Sequence, residues 1–150
     1  MLQISVIAVG KLKEKFWKEA CAEYLKRLGA YAKVNVIELP DSSAEKEATL
    51  ILEALQKLPG DAHRILMDIQ GKEISSPGLS AKLDNLALTG TSHVAFIIGG
   101  SDGVTKDVKA AVSERVSFGP ITLPHNLARV VLLEQIYRAF RISRNEPYHK

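Results

Sequence analysis

Two hydrophobic periods alternate along this chain. LQISVIAV at residues 2–9 is an apolar run closed by Gly10, the mark of a buried strand. Phe16, Trp17, Cys21, Tyr24, Leu25 and Leu28 then recur at helical spacing with Lys and Glu between them, and Gly29 stands where that helix would end. The exchange repeats. KVNVIELP (33–40) reads as a strand stopped by Pro40, and DSSAEKEATLILEALQKL (41–58) as a helix capped by Asp41, Ser42 or Ser43. HRILMDI (63–69) is a third strand, after which QGK is expected to turn the chain. Ser76 before Pro77 opens another helix, and HVAFII (93–98) is a fourth strand, followed by GGSDG. TKDVKAAVSE reads as a helix starting near Thr105. SFGPITLPH contains short apolar pieces broken by Gly119, Pro120 and Pro124. NLARVVLLEQIYRAFRIS is a strong last helix, and RNEPYHK a polar tail.

Strands alternating with helices predict an α/β fold, a mostly parallel sheet with helices on both faces, in a single domain spanning 1–150. Ligands of such sheets bind beyond the carboxyl ends of the strands. That rule selects three loops: DIQGK (68–72), GGSDG (99–103) and FGPITLPH (118–125).

Composition narrows the class. The chain has 150 residues, 46% hydrophobic and 25% charged, enough for one domain with a real core. No apolar run approaches membrane-spanning length, and the N-terminus lacks the basic start and cleavage site of a secretory signal. Cys21 is the only cysteine, so no intrachain disulfide and no cysteine-based metal cluster is expected, and a cytoplasmic chain is the natural reading. Cys21 lies in the apolar stripe and reads as an inert core thiol. The net charge of +3 suits an anionic partner without specifying one.

GGSDG is not the dinucleotide fingerprint, AVGK after the first strand carries no such loop, and there is no P-loop. The glycine pair serves either a tight turn or the close approach of a ligand to the backbone. FGPITLPH is either a proline-rich connection or an irregular backbone whose unpaired N–H and C=O groups can read an adenine edge. His63 and His93 read as surface residues, and His125 or Asn126 as a helix cap. Arg129, Arg138, Arg141 and Arg144 mark either a solvated face or a phosphate-contacting one. The terminal Pro147, Tyr148 and His149 form either a disordered end or a docking segment.

AVGK, MDIQGK, FIIGGSDG, TLPH before an arginine-bearing helix, and a terminal EPYHK occur in this order over the whole chain. Together they resemble the ribosomal RNA large-subunit methyltransferase H family, small members of the SPOUT methyltransferases. The resemblance implies a trefoil knot in the C-terminal part of the sheet, a feature the periodicity does not give. It implies a homodimer that binds S-adenosyl-L-methionine through Met67, Gly100, Gly119, Pro120, Ile121, Thr122, Leu123 and Pro124, with Gly100 leaving room for the cofactor. Met67 stands where leucine is common, a volume-conserving exchange. The implied reaction is methylation of N3 of a pseudouridine in helix 69 of 23S ribosomal RNA, on the assembled ribosome, without a metal. Arg138, Tyr148 and His149 are the catalytic candidates. His149 alone would ordinarily titrate near neutrality, and the base is not decided among them; Asp102 is not expected to be essential. Leu132, Leu133, Ile136, Tyr137 and Phe140 are expected to supply a dimer face, from which the tail would reach the partner's pocket. Two rivals remain at this point: a non-enzymatic RNA-binding domain using the last helix, and an enzyme acting on a small nucleotide.

Overall fold

A computed structural model describes residues 1–150. Its five strands are β1 (Leu2–Val9), β2 (Ala32–Leu39), β3 (His63–Glu73), β4 (His93–Ile98) and β5 (Glu114–Ser117). They form one all-parallel sheet in the order β2-β1-β4-β3-β5. The helices are α1 (Lys15–Leu28), α2 (Ala44–Gln56), α3 (Ser76–Leu88), α4 (Lys106–Ala110) and α5 (His125–Ser143). Strands β1 and β4 are covered on both faces, which is why their sequences are nearly unbroken apolar runs. Ile4, Val6, Ala8, Val94, Phe96, Ile98 and Ile65 pack toward α1, α3 and α5. Their alternates Ile7, Val9, Ile97 and Leu66 pack toward α2 and α4. Ser43 caps α2 through Lys46 N–H, and Ser75 caps α3 through Gly78 N–H.

The structure corrects the sequence reading in several places. Glu114–Ser117, expected to be split between a helix end and a broken segment, form β5, and the preceding helix is only Lys106–Ala110. Four residues, two of them charged, are too short a run to display a period of two. Glu114 is nonetheless engaged: its carboxylate contacts His63 Nε2 at 2.5 Å and accepts from Lys82 Nζ at 2.8 Å. QGK does not end β3. The strand bulges between Met67 and Lys72 and then rejoins β5, with Lys72 opposite Val116 and Glu73 opposite Ser117. His63 and His93 are half-buried rather than surface residues, and Ser5 Oγ lies 2.7 Å from His93 Nε2.

Leu132, Leu133, Ile136, Tyr137 and Phe140 are buried within their own chain against the sheet and neighbouring helices. They therefore offer no free dimer face; one side of the sheet, with α1 and α3, consumes them. Phe16 departs the other way. It shares the spacing of the buried α1 residues but is 60% exposed. Cys21 is buried as expected, and desolvation pushes its thiol above the usual range.

Arg129, a candidate phosphate contact, is 4% exposed. Its Nη1 donates to Glu38 Oε2 at 2.8 Å and its Nη2 to the Gly10 carbonyl at 2.6 Å. The side chain thus ties α5 to the carboxyl ends of β1 and β2. Burial raises the Glu38 pKa, but the hydrogen bonds from Arg129 and the Leu12 N–H outweigh it and hold the carboxyl below its ordinary value. A depressed pKa stabilises the fold above the ordinary carboxylate range, and the contribution is lost as pH falls through the folded value. Glu38→Gln is expected to cost about 2 kcal/mol, the scale of a hydrogen bond to a charged group. The urea midpoint should fall with an unchanged slope, and the loss should shrink in acid; an unmoved midpoint at neutral pH contradicts this role.

Candidate active site

The last crossing of the chain builds the first half of the site. β5 lies at one edge of the sheet, with β3 and β4 between it and β1. At about 4.8 Å per strand, β5 and β1 are roughly 14 Å apart. Residues 118–124 leave β5, and the next residue, His125, places its ring over Gly10 at the end of β1. Seven residues can span at most about 25 Å, so this segment crosses the ends of β3 and β4 without room for a helix. Pro120 and Pro124 suit such a path because proline holds φ near extended values and donates no hydrogen bond. The N–H groups of Ile121, Thr122 and Leu123 have no main-chain partner. Gly119 has φ +117° with open space on its side-chain side, and Ile121 is 77% exposed.

Beneath this crossing lie the other expected cofactor residues. Met67 is the last β3 residue paired with β4, opposite Ile98, and β3 bulges directly after it. Gly100 follows β4. The structure thus brings the ends of β3 and β4 under the 119–124 segment, and the three loops chosen from the sequence converge.

Gly100 has a different reason from the expected one. A Cβ there would come within 2.5 Å of Glu47 Oε1 and 2.9 Å of Oε2. The space beside this glycine is filled by a carboxylate from α2, 4% exposed. Oε2 accepts from the Ser42 N–H at 2.8 Å, whereas Oε1 is buried with no hydrogen-bond partner. An unpartnered buried carboxylate oxygen is costly unless a cation or donor completes it. The sequence did not disclose Glu47, which sits among the other acids of AEKEAT.

Arg138, Tyr148 and His149 come together, but elsewhere. Asn145, at φ +54°, ends α5 in the left-handed conformation. The tail is then held against α5: Arg141 Nη2 donates to the Pro147 carbonyl at 2.8 Å, and Arg141 Nη1 pairs with Glu146 at 3.1 Å. Tyr148 Oη donates to Glu134 Oε2 at 2.8 Å, its ring meets Tyr137 edge-on, and the Arg138 guanidinium lies 4.7 Å from its centroid. Arg138 donates to Glu134 through Nη2 at 2.7 Å and to His149 Nδ1 through Nη1 at 3.1 Å. The tail is docked, not loose. Desolvation, then the bond to Glu134, pushes the Tyr148 phenol well above its usual range, so it is a neutral donor. The hydrogen bond to Glu134 raises the Arg138 pKa further, so its cation is permanent. Glu134 organises the cluster. Its i,i+4 spacing to Arg138 was the available signal. Arg141, expected as a phosphate contact, is committed to holding the tail and Tyr31.

Arg138 lies thirteen residues after His125 on α5, about 20 Å along the axis at 1.5 Å per residue. The two clusters are therefore separate within one chain.

The chain matches the family model described as "Predicted SPOUT methyltransferase" over residues 2–149. Proteins named ribosomal RNA large subunit methyltransferase H from Bacillus thuringiensis (strain Al Hakam) and Bacillus anthracis are each 52% identical over 159 residues, covering 99% of this chain and all of theirs. Among solved structures, a Legionella pneumophila methyltransferase in complex with bound SAM superposes with a TM-score of 0.52 at 15% identity, covering 93% of this chain and 66% of that one. That likeness bears on the fold alone. With the crossing over the strand ends and the near-complete match to curated relatives, the chain belongs to the SPOUT methyltransferases, in the ribosomal RNA large-subunit methyltransferase H family.

Proposed function

We propose that this methyltransferase uses S-adenosyl-L-methionine to methylate N3 of a pseudouridine in helix 69 of 23S ribosomal RNA on the assembled ribosome, in the cytoplasm, as a homodimer. No helix is long and apolar enough to cross a membrane. The observation that carries the reading is the pair of unsatisfied groups at the strand ends: the N–H groups of 121–123 have no main-chain partner, and beside Gly100 a buried carboxylate oxygen lacks one too. These residues fit the cofactor. The 119–124 backbone suits the adenine edge, Met67 supplies an apolar wall, and Glu47 beside Gly100 suits the cation of the methionyl part. The knot implied by the family resemblance is, on this reading, a threading of the chain at the 118–124 crossing.

When bound, S-adenosyl-L-methionine supplies an electrophilic methyl group on a sulfonium. That methyl would pass from sulfur to the substrate N3, whose proton would go to a base or to solvent. Arg138 stabilises the anion that develops when N3 loses its proton. Tyr148, whose phenol proton goes to Glu134, orients the nucleobase as a hydrogen-bond acceptor. With Nδ1 accepting from Arg138, neutral His149 presents Nε2–H as a donor, which argues for positioning rather than proton abstraction in this arrangement.

Methyl transfer needs reacting atoms roughly 3–3.5 Å apart. The Arg138 cluster lies about 20 Å along α5 from its own cradle, a gap one base does not bridge. A second chain that sets its tail against the first chain's cradle closes the gap; exposed Ile69, Phe118 and Ile121 offer apolar surface at that end of the sheet. The test is labelled methyl incorporation from S-adenosyl-L-methionine into ribosomes and into free nucleosides, with the modified nucleotide mapped. Label confined to one 23S pseudouridine in ribosomes is expected. Label in nucleosides supports the small-nucleotide rival, and no label in either supports a binding module.

A further inference from the structure

We infer that KLKEKFWK, Lys11–Lys18, is a second RNA contact, in which lysines neutralise backbone phosphates and Phe16 stacks on an unpaired base. The inference rests on the rRNA methyltransferase reading above.

Four lysines against Glu14 give these eight residues a net charge of +3, equal to that of the entire chain. The rest of the molecule is neutral overall. Three of the four arginines expected to meet phosphate are occupied: Arg129 is buried with Glu38, Arg141 holds the tail, and Arg138 is bound to Glu134; exposed Arg144 lies over the Tyr31 ring, 4.9 Å from its centroid. Lys11, Lys13, Lys15 and Lys18 are all exposed. Only Lys15 is paired, loosely, with Glu19 at 3.6 Å on the surface.

The fold does not explain this placement. α1 begins at Lys15, and its first turn contains no acid. The positive end of a helix dipole favours acids and disfavours lysines, and Glu14 makes no side-chain cap. Nor does the core explain Phe16. Trp17 is half-buried and holds the Phe16 ring, with centroids 4.9 Å apart, while Phe16 itself is 60% exposed. An aromatic ring set among unpaired lysines is the arrangement that binds single-stranded nucleic acid, through stacking and phosphate neutralisation.

The position fits as well. The segment starts one residue after Gly10, which lies under His125 at the end of the 119–124 crossing. RNA leaving the cradle toward β1 meets it. Lys11 and Lys18 both line a cavity of about 280 Å³ with Leu12, Leu25, Val36 and Leu133, and the one acid in its wall, Glu38, is paired with Arg129. A second copy of this chain is the less favoured occupant, because a two-fold contact would set like charges against each other.

The test measures binding of the full-length protein to large ribosomal subunits across a salt series, alongside methylation kinetics. In Lys11→Gln/Lys13→Gln/Lys15→Gln, the slope of log affinity against log salt should fall by about two, since each lost phosphate contact removes roughly 0.7–0.9. Phe16→Ala should weaken binding about tenfold or more, and Phe16→Trp should restore it. Both losses should appear in KM, with kcat at saturating subunits, cofactor affinity and thermal midpoint unchanged. Variants that methylate subunits with wild-type affinity and salt slope overturn the inference while leaving the enzymatic reading intact. A change in sedimentation with unchanged RNA affinity also overturns it, by making the patch a self-association face. Failure of the wild-type protein to methylate subunits counts against the enzymatic reading alone, because the binding slopes still decide the patch.

Discussion

Removal of Pro147–Lys150 should leave the fold and cofactor binding nearly intact and lower methyl transfer by at least about a hundredfold, the low end for losing a positioned catalytic group. The sheet and the strand-end cradle make no use of these four residues, and of the core only its margin at Tyr137 meets Tyr148. The tail's contacts are with α5, through half-buried Arg141, Glu134 and Arg138 and the edge of buried Tyr137. Truncation removes Tyr148 and His149 together, and it frees Arg138 from the ring it covers and from His149 Nδ1. His149→Ala alone should cost less, because Tyr148 keeps its bond to Glu134. Circular dichroism and calorimetric titration with S-adenosyl-L-methionine establish that fold and cofactor binding survive. Full activity in the truncated protein would refute the catalytic role of the tail.

Mixed dimers separate a tail that serves its own chain from one that serves its partner. One defect is Gly100→Val, which disables a pocket; the other is the truncation. When one chain carries Gly100→Val and the other lacks its tail, the only working pocket belongs to the truncated chain. Its partner still has a tail. Service in trans therefore predicts activity, and service in cis predicts none. When one chain carries both defects and the other is wild type, the outcomes reverse. The roughly 20 Å between Arg138 and the cradle along α5 favours the first pattern. Activity only in the second pattern would refute the trans arrangement.

The sequence disclosed the layers of this fold and the location of the cradle for one reason: period and punctuation are local. HVAFII followed by GG, and GPITLP before a helix, announce a strand end and an irregular crossing without tertiary knowledge. What it did not disclose depends on partners distant in sequence. β5 is a strand because β3 pairs with it on both sides of a bulge. Phe16 sits at core spacing but falls on the exposed side of α1, since helical periodicity does not say where the covered stripe ends. Arg129 and Arg138 look alike in sequence, yet one is buried by Glu38 and the Gly10 carbonyl while the other faces the tail. Apolar α5 residues looked surplus because the sequence does not show that α1, α3 and the sheet all press on the same helix.

Glu47→Gln should weaken S-adenosyl-L-methionine binding by about ten- to a hundredfold, the range expected for a hydrogen bond or ion pair to a buried charge. The substitution preserves shape. A glutamine carbonyl oxygen still accepts the Ser42 N–H that Oε2 now holds at 2.8 Å, so the start of α2 should persist and the thermal midpoint should move little. What changes is Oε1, buried, without a partner and next to Gly100. If that oxygen faces the sulfonium, S-adenosylhomocysteine, which lacks the sulfonium charge, should lose much less affinity than S-adenosyl-L-methionine in the same variant. Gly100→Ala provides the steric counterpart: its methyl would stand 2.5 Å from Oε1 and push the carboxylate aside. It should weaken the charged cofactor through the displaced acid, and the loss should not add to that of Glu47→Gln when the two are combined. Equal losses for both ligands would shift Glu47 to the amino group they share. Unchanged affinity for both would reduce Glu47 to a structural partner of Ser42.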